Sequence, residues 1–237
     1  MHGYLLIDKP DGMTSHDVVN RVRRLTGEKR VGHAGTLDPF ATGLLIVGVG
    51  RVATREFQKL VGLDKKYEAV FTFGATSDTD DRTGAVQSRF SGNTPVNKNE
   101  LEAATRELTG PIQQIPPAYS AIKVGGKKLY ELARAGKEVE RKPRFVTVYA
   151  FDVLEGLEAH FRIHCSSGTY IRSLARDLGS ILNVGGYVEE LRRTAIGPFR
   201  IEESVPLTKL TQENVSDALL SIESVLSRLP SSARVNA

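Results

Sequence analysis

Among the residues able to do chemistry, the acid in Gly32-His33-Ala34-Gly35-Thr36-Leu37-Asp38-Pro39 has the most constrained setting. The two outer glycines allow close backbone approach and Pro39 biases Asp38 towards an extended conformation, so a carboxylate is held out on a shaped loop. Such a group can act as a nucleophile or proton acceptor, although an Asp-Pro pair taken alone more often makes a turn or a cap. His33 shares the loop, and nothing local separates it from an ordinary loop histidine. Other reactive-looking groupings fail on spacing. His164 and Cys165 are adjacent on an expected strand, so they point to opposite faces and form no thiolate dyad; Cys165 is expected to be buried. In Ser77-Asp78-Thr79-Asp80-Asp81-Arg82-Thr83-Gly84, Arg82 and Thr83 stand where a calcium loop needs a ligand and a glycine, and Arg89 replaces its closing glutamate. Gly125-Gly126-Lys127 lacks the first glycine and the final Ser or Thr of a nucleotide-phosphate loop. No metal and no cofactor are expected.

The elements that must position Asp38 begin with a strand over residues 3–7 and a turn through Lys9-Pro10-Asp11-Gly12. A helix follows, capped by Thr14 or Ser15, with Val18, Val19, Val22 and Leu25 at helical spacing and Gly27 closing it. Residues 30–42 read as a loop, 44–49 as a buried strand, 52–61 as a helix and 66–73 as a strand. Beyond them, 99–108 reads as a helix, 111–117 as irregular, and 119–124 as a segment entering a Gly125-Gly126 turn. A helix over 129–135 is expected next. Residues 144–154 and 159–166 read as long strands joined through Glu155-Gly156, 170–182 and 213–228 as helices, and 231–237 as a loose tail. Strand and helix types interleave without strict alternation, which predicts an α/β (α+β) domain on a mixed, mostly antiparallel central sheet flanked by helices and loops.

The 237 residues fit one large domain, and 40% hydrophobic with 25% charged residues is ordinary for a soluble globular chain. A single cysteine precludes an intramolecular disulfide and a zinc finger, and suits a reducing cytoplasm. The apolar run Tyr4-Leu5-Leu6-Ile7 is too short for a signal peptide or membrane span. A cytoplasmic protein without membrane contact is expected. The net charge of +4 permits a polyanionic partner without requiring one. Its distribution is uneven: residues 121–144 hold eight basic residues against three acidic ones, with Tyr130 and Phe145 in or beside them. This stretch could follow a phosphate backbone, or be a solvated helix face.

Gly35-Thr36-Leu37-Asp38-Pro39, with Asp8-Lys9-Pro10-Asp11-Gly12-Met13-Thr14-Ser15 upstream, resembles the bacterial tRNA pseudouridine-55 synthases of the TruB family. The match continues in order through Lys65-Lys66-Tyr67-Glu68-Ala69, Pro116-Pro117-Ala118-Tyr119-Ser120-Ala121, Cys165-Ser166-Ser167-Gly168-Thr169-Tyr170-Ile171-Arg172 and Leu191-Arg192-Arg193-Thr194. It spans residues 3 to about 205.

The resemblance implies the pseudouridine synthase fold and an isomerase that converts uridine to pseudouridine at position 55 in the T loop of tRNA after flipping out the base. It makes Asp38 the catalytic carboxylate, Arg172 its paired cation, and Tyr67 a catalytic group that stacks on the target base. Tyr170 and Leu191 would line the uracil pocket, and His33 would enter the RNA loop beside the displaced base. Lys127, Lys128, Arg141 and Lys142 belong to a basic insertion at about 121–144 that grips the T arm, and Lys9 and Pro10 support the catalytic loop. The implied organisation is a catalytic domain over 1–210, then a C-terminal helix and tail over 211–237, without the further RNA-binding domain that family members usually carry. A monomer acting on tRNA without guide RNA is expected. The alternatives are a guide-RNA-dependent synthase acting on ribosomal RNA, and a tRNA-folding chaperone that needs no catalysis.

Overall fold

The structure is a computed structural model, and it describes residues 1–88, 96–120, 123–124, 126–129, 140–154 and 159–231, excepting the side chains at 123–124 and 127–128. Strand β1 (Gly3–Lys9) leads to helix α1 (Ser15–Thr26), strands β2 (Val31–His33) and β3 (Thr42–Val49), and short helices α2 (Arg51–Arg55) and α3 (Phe57–Val61). There follow β4 (Lys65–Phe73), β5 (Ala75–Ser77), β6 (Val86–Ser88), α4 (Lys98–Glu107), β7 (Gly110–Gln114), β8 (Lys123–Val124) and β9 (Lys127–Lys128). The remainder comprises β10 (Arg144–Val153), β11 (His160–Cys165), α5 (Ile171–Ile181), β12 (Gly186–Ile196), β13 (Phe199–Arg200), β14 (Val205–Pro206) and α6 (Ile222–Ser227). The chain is α/β, and it divides into two units, one of residues 1–68 and 191–237, the other of residues 69–190.

In the first unit the strands run in the order β14-β1-β3-β12. β1 lies antiparallel to β3, with Gly3 opposite Val49 and Lys9 opposite Gly43, while β12 joins β3 in parallel at Arg192 and Arg193. Both faces of this sheet are covered, which explains its unbroken apolar runs. Tyr4, Leu6, Leu44 and Ile46 pack with Ala53, Leu60, Phe199 and Val225 in one cluster. Leu5, Ile7, Leu45 and Val47 pack with Val18, Val19 and Val22 of α1 in the other. α1 begins where expected: Thr14 accepts from the Asp17 backbone N–H, the Asp17 carboxylate accepts from the Thr14 N–H, and Gly27 closes the helix in the left-handed region.

In the second unit the order is β4-β11-β10-β7, with β10 antiparallel to both neighbours. Phe71, Phe151 and Phe161 interlock inside it, with ring centroids 4.6 to 6.1 Å apart. α5 buries Ile171, Leu174, Ala175 and Leu178, and approaches the 185–186 backbone so closely that a Cβ at Gly179 would overlap Gly185 and Gly186.

Several expectations are corrected. The expected loop 30–42 begins with β2, and 111–117 begins with β7, where Pro111 is tolerated because β7 ends the strand order of its unit. The expected helix 52–61 is two helices meeting at Glu56, beyond which the Phe57 ring lies against Gly32 and Gly48. Of the expected helix 213–228 only Ile222–Ser227 is helical, because the Asn214 side chain accepts from the Thr211 N–H and donates to the Lys209 carbonyl, holding that segment in turns. β12 was not anticipated. β8 and β9 pair as a hairpin around Gly126, which bears out the expected turn. The helix expected over 129–135, the Glu155-Gly156 junction and most of the tail lie outside the described residues.

Gly179→Ala should destabilise the protein by roughly 1–3 kcal/mol through overpacking. Urea denaturation would then give a lower midpoint at an unchanged slope; an unaltered midpoint would refute the close approach.

Candidate active site

The Asp38 loop is built by the first unit. The Ala34 N–H donates to the Ile46 carbonyl, fixing the loop's entry beside β3. From Gly35 to Pro39 every backbone carbonyl then has a partner. The Arg193 guanidinium donates to the Gly35 and Thr36 carbonyls, each at 3.2 Å, and through Nε to the Leu44 carbonyl at 2.7 Å. The Ser15 hydroxyl donates to the Leu37 carbonyl at 3.0 Å and accepts from the Leu37 N–H at 2.9 Å. The Asp38 carbonyl accepts from the Ala41 N–H at 3.1 Å. The Pro39 carbonyl accepts from the Gly12 N–H at 2.9 Å and from Lys9 Nζ at 3.1 Å.

Lys9 donates also to the Pro10 and Met13 carbonyls, at 2.8 and 2.7 Å, so one ammonium ties the turn after β1 to the loop. Lys9 is 0% exposed and Arg193 1%. Among the described residues, the acceptors at Lys9 Nζ and in these Arg193 guanidinium bonds are backbone carbonyls. Burial pulls the Lys9 ammonium down to about 8; Asp11 and Asp38 raise it and Arg193 lowers it. The backbone supports the clamp. Gly43 has φ +103°, and a Cβ there would overlap the Arg193 carbonyl, so only glycine lets β3 and β12 meet at this register.

Asp38 itself is half-buried in the loop. His33 ends β2 and is half-buried, its Nδ1 enclosed without a hydrogen-bond partner among the described residues. Burial, then the nearby charges of Arg193 and His16, lower its pKa, so it is neutral at pH 7. Tyr67 on β4 and Leu191 on β12 belong to the same unit, and both are buried.

The second unit holds the other expected residues. Tyr170 precedes α5, and the Gln114 side chain accepts from its N–H at 2.8 Å and donates to its carbonyl at 3.1 Å. Arg172, in the first turn of α5 and buried, donates to the Thr79 carbonyl at 3.0 Å and the Tyr119 carbonyl at 2.9 Å. Its Nη1 lies 3.4 Å from Asp81 Oδ2. Asp81 is held in turn, its Oδ1 accepting from the Thr79 hydroxyl at 2.8 Å and the Thr83 N–H at 3.0 Å. One residue earlier, Asp80 stands in the left-handed region at φ +59° and pairs with Arg176 at 2.9 Å; burial raises its pKa against the opposing charges of Arg176, Arg172 and Arg141. Arg141 donates to the Pro116 carbonyl and Lys142 is exposed, whereas the Lys127 and Lys128 side chains lie outside the described residues.

The sequence reading gave no role to Arg193 or Asp81, and gave Ser15 only that of an alternative helix cap. One signal was available for Arg193. On β12 it alternates with Leu191 and Ala195, so it occupies the buried parity of its strand, where an arginine must find internal acceptors.

Comparison with known proteins supplies the family context. Residues 23–171 match the model of the TruB family pseudouridylate synthase N-terminal domain, and residues 172–228 match that of the tRNA pseudouridylate synthase B C-terminal domain. A tRNA pseudouridine synthase B of Thermobifida fusca is 49% identical over 221 residues, covering 89% of this chain and 75% of that protein. One of Geobacillus kaustophilus is 46% identical over 242 residues, covering 97% and 85%. Among solved structures, a Cbf5-Nop10-Gar1 complex superposes with a TM-score of 0.74 at 30% identity, covering 96% of this chain. This chain spans only 62% of that one.

Arg193→Lys should loosen the loop, because the Leu44, Thr36 and Gly35 carbonyls are each met by a different nitrogen of the planar fork, which one ammonium nitrogen does not replace. The expected loss of stability is roughly 2–4 kcal/mol, with faster hydrogen exchange at the amides of Leu37 and Ala41. Wild-type protection at those amides would show that the guanidinium does not order the loop.

Proposed function

The chain belongs to the TruB family of pseudouridylate synthases, and we propose that it isomerises uridine to pseudouridine at position 55 in the T loop of tRNA, with Asp38 as the catalytic carboxylate. The observation that carries this reading is the loop Gly35–Pro39, tied at every carbonyl, within a chain that matches the family from residue 23 to 228. In the reaction the C1′–N1 bond breaks, the uracil turns, and C5 joins C1′; C5 then loses a proton and N1 gains one. No atom or electron is exchanged with a second reactant, so the chemistry calls for no redox cofactor. It does call for an anion at the sugar, either to attack C1′ or to remove the C2′ proton.

In this reading Arg172 is the cation paired with Asp38; within its own unit the guanidinium is held by Asp81 and the Thr79 and Tyr119 carbonyls. Tyr67 stacks on the uracil and its phenol helps to remove the C5 proton, passing its own hydroxyl proton on as it accepts one, while Tyr170 and Leu191 line the pocket. Flipping a base out of its stack costs a few kcal/mol, which a neutral His33 offsets by filling the vacated space. Lys127, Lys128, Arg141 and Lys142 hold phosphates of the T arm, which positions the RNA without reading its sequence. Guide-dependent action is the weaker reading. The chain is 42–49% identical to tRNA pseudouridine synthases B over most of its length, against 30% to the Cbf5 complex.

The decisive assay incubates the chain with an unmodified tRNA transcript, without guide RNA, and maps pseudouridine by carbodiimide-dependent primer extension. One stop at the T-loop uridine is expected. Asp38→Asn should lower its rate at least ~10³-fold while leaving tRNA affinity within about twofold, since a neutral amide cannot serve as the anion. A near-wild-type rate in that variant would remove Asp38 from the chemistry.

The Lys9 clamp predicts a pH dependence. As pH rises through about 8 the ammonium loses one of its three donors and its charge, so turnover should fall. Lys9→Met should be slow and show no titration in this window. Stability moves the other way: the folded-state pKa lies below that of free lysine, so this group favours folding above the unfolded value and loses that contribution as pH falls through about 8. A melting temperature that drops in parallel with turnover above pH 8 would locate the titration elsewhere.

A further inference from the structure

In the second unit one face of the β7-β10-β11 sheet buries Val146, Val148, Phe151, Phe161 and Ile163, and the opposite face is open. Phe145 and Tyr149 stand on that open face, 84% and 53% exposed, two strand repeats apart with Thr147 between them. Tyr149 packs against His164 of the neighbouring strand, with ring centroids 4.8 Å apart and planes at 48°. Gln113 lies opposite Phe145 on β7, and Pro111 opposite Thr147. Phe145 precedes the part of β10 that pairs with β11, and with Tyr149 it sets two exposed rings on one face, a candidate contact surface.

The surroundings of the rings identify what would cover them. Thr147 separates the two rings along β10 and Gln113 flanks Phe145 on β7, so the face sets stacking platforms beside hydrogen-bonding groups, unlike the continuous apolar core of a protein interface. Lys142 and Arg144 are exposed where the chain enters β10, Arg144 at the strand parity opposite to that of Phe145. On the strand pair itself Asp152 faces Arg162 directly across the ladder. Rings repeated on a strand, with hydrogen-bonding side chains beside them and a cation at the rim, are what unpaired nucleobases stack on.

We infer that the outer face of β7, β10 and β11, through Phe145, Tyr149 and His164, is an RNA-binding surface for unpaired bases, with Lys142, ahead of β10, on an adjoining phosphate. The inference rests on the reading of this chain as an enzyme acting on RNA. It assigns Phe145 and Tyr149 to substrate affinity and not to the bond-breaking step.

The test compares the wild-type chain with a Phe145→Ala, Tyr149→Ala double variant and with a Phe145→Tyr, Tyr149→Phe double variant. Anisotropy of a fluorescein-labelled unmodified tRNA transcript gives the Kd, and single-turnover pseudouridine formation at saturating enzyme gives the rate. Loss of two stacking rings should raise Kd at least about tenfold and leave the saturated rate within about twofold. The aromatic-for-aromatic variant should bind as wild type. An unchanged Kd in the alanine variant, or an equal loss in both variants, overturns the inference. A wild-type chain that forms no pseudouridine, yet binds tRNA in a ring-dependent manner, would uphold this surface and defeat the proposed reaction. A wild-type chain that isomerises tRNA with ring-independent affinity would do the reverse.

Discussion

The first unit depends on the confinement of two cations beneath a loop of five carbonyls. A loop that presents a carboxylate for attack must be stiff, yet its own backbone cannot pair in a ladder, because the acid has to face outward. Lys9 and Arg193 resolve this by supplying donors to three of them, while Ser15 and the Ala41 N–H close the remaining two. Burying an ammonium and a guanidinium is costly unless each finds several acceptors, and here the acceptors are the carbonyls that need donors. The arrangement is reciprocal. Deleting either cation would strand carbonyls, and straightening the loop would strand a buried charge.

The second unit solves the same problem with an added carboxylate. Arg172 is fixed by two carbonyls and by Asp81, and Asp81 is fixed by Thr79 and Thr83 of its own turn. That turn contains Asp80 in a conformation unusual for a residue with a side chain, and the Asp80–Arg176 pair together with the Val188 N–H bond to the Asp80 carbonyl overdetermines it. The acidic run that could be mistaken for a calcium loop is therefore a device for holding arginines of one helix. Arg172 and Arg176 are four residues apart, so they project from the same side of α5 into one acidic turn.

What was legible in the sequence follows from the kind of signal each element gives. α1 declared itself through apolar spacing, a capping box and a closing glycine, and all three are present. Asp38 stood out because glycine and proline constrain a backbone visibly, and His33, Tyr67, Tyr170, Arg172 and Leu191 were reached only through family motifs. β12 escaped because Glu189, Glu190, Arg192 and Arg193 interrupt its apolar character, although one of these four is among the most deeply buried side chains in the protein. The helix expected near the C-terminus failed for the opposite reason. Apolar residues recur there at helical spacing, but Asn214 offers the backbone local partners that a helix would withdraw.

The buried cations also change what net charge means in this protein. A surplus of +4 counts every basic side chain alike, but Lys9, Arg172 and Arg193 are internal, and Arg176, Arg192 and Arg228 are paired with Asp80, Asp8 and Glu203. Those six cannot neutralise phosphate without giving up a structural bond. A polyanion must therefore be met by cations such as Lys142 and Arg144, which are exposed next to Phe145 at the start of β10. Phosphate attraction at those two charges would be weak and salt-sensitive by itself. Stacking on rings does not fade with ionic strength in the same way, so a surface that joins a few cations to aromatic platforms holds RNA under conditions where charge alone would release it.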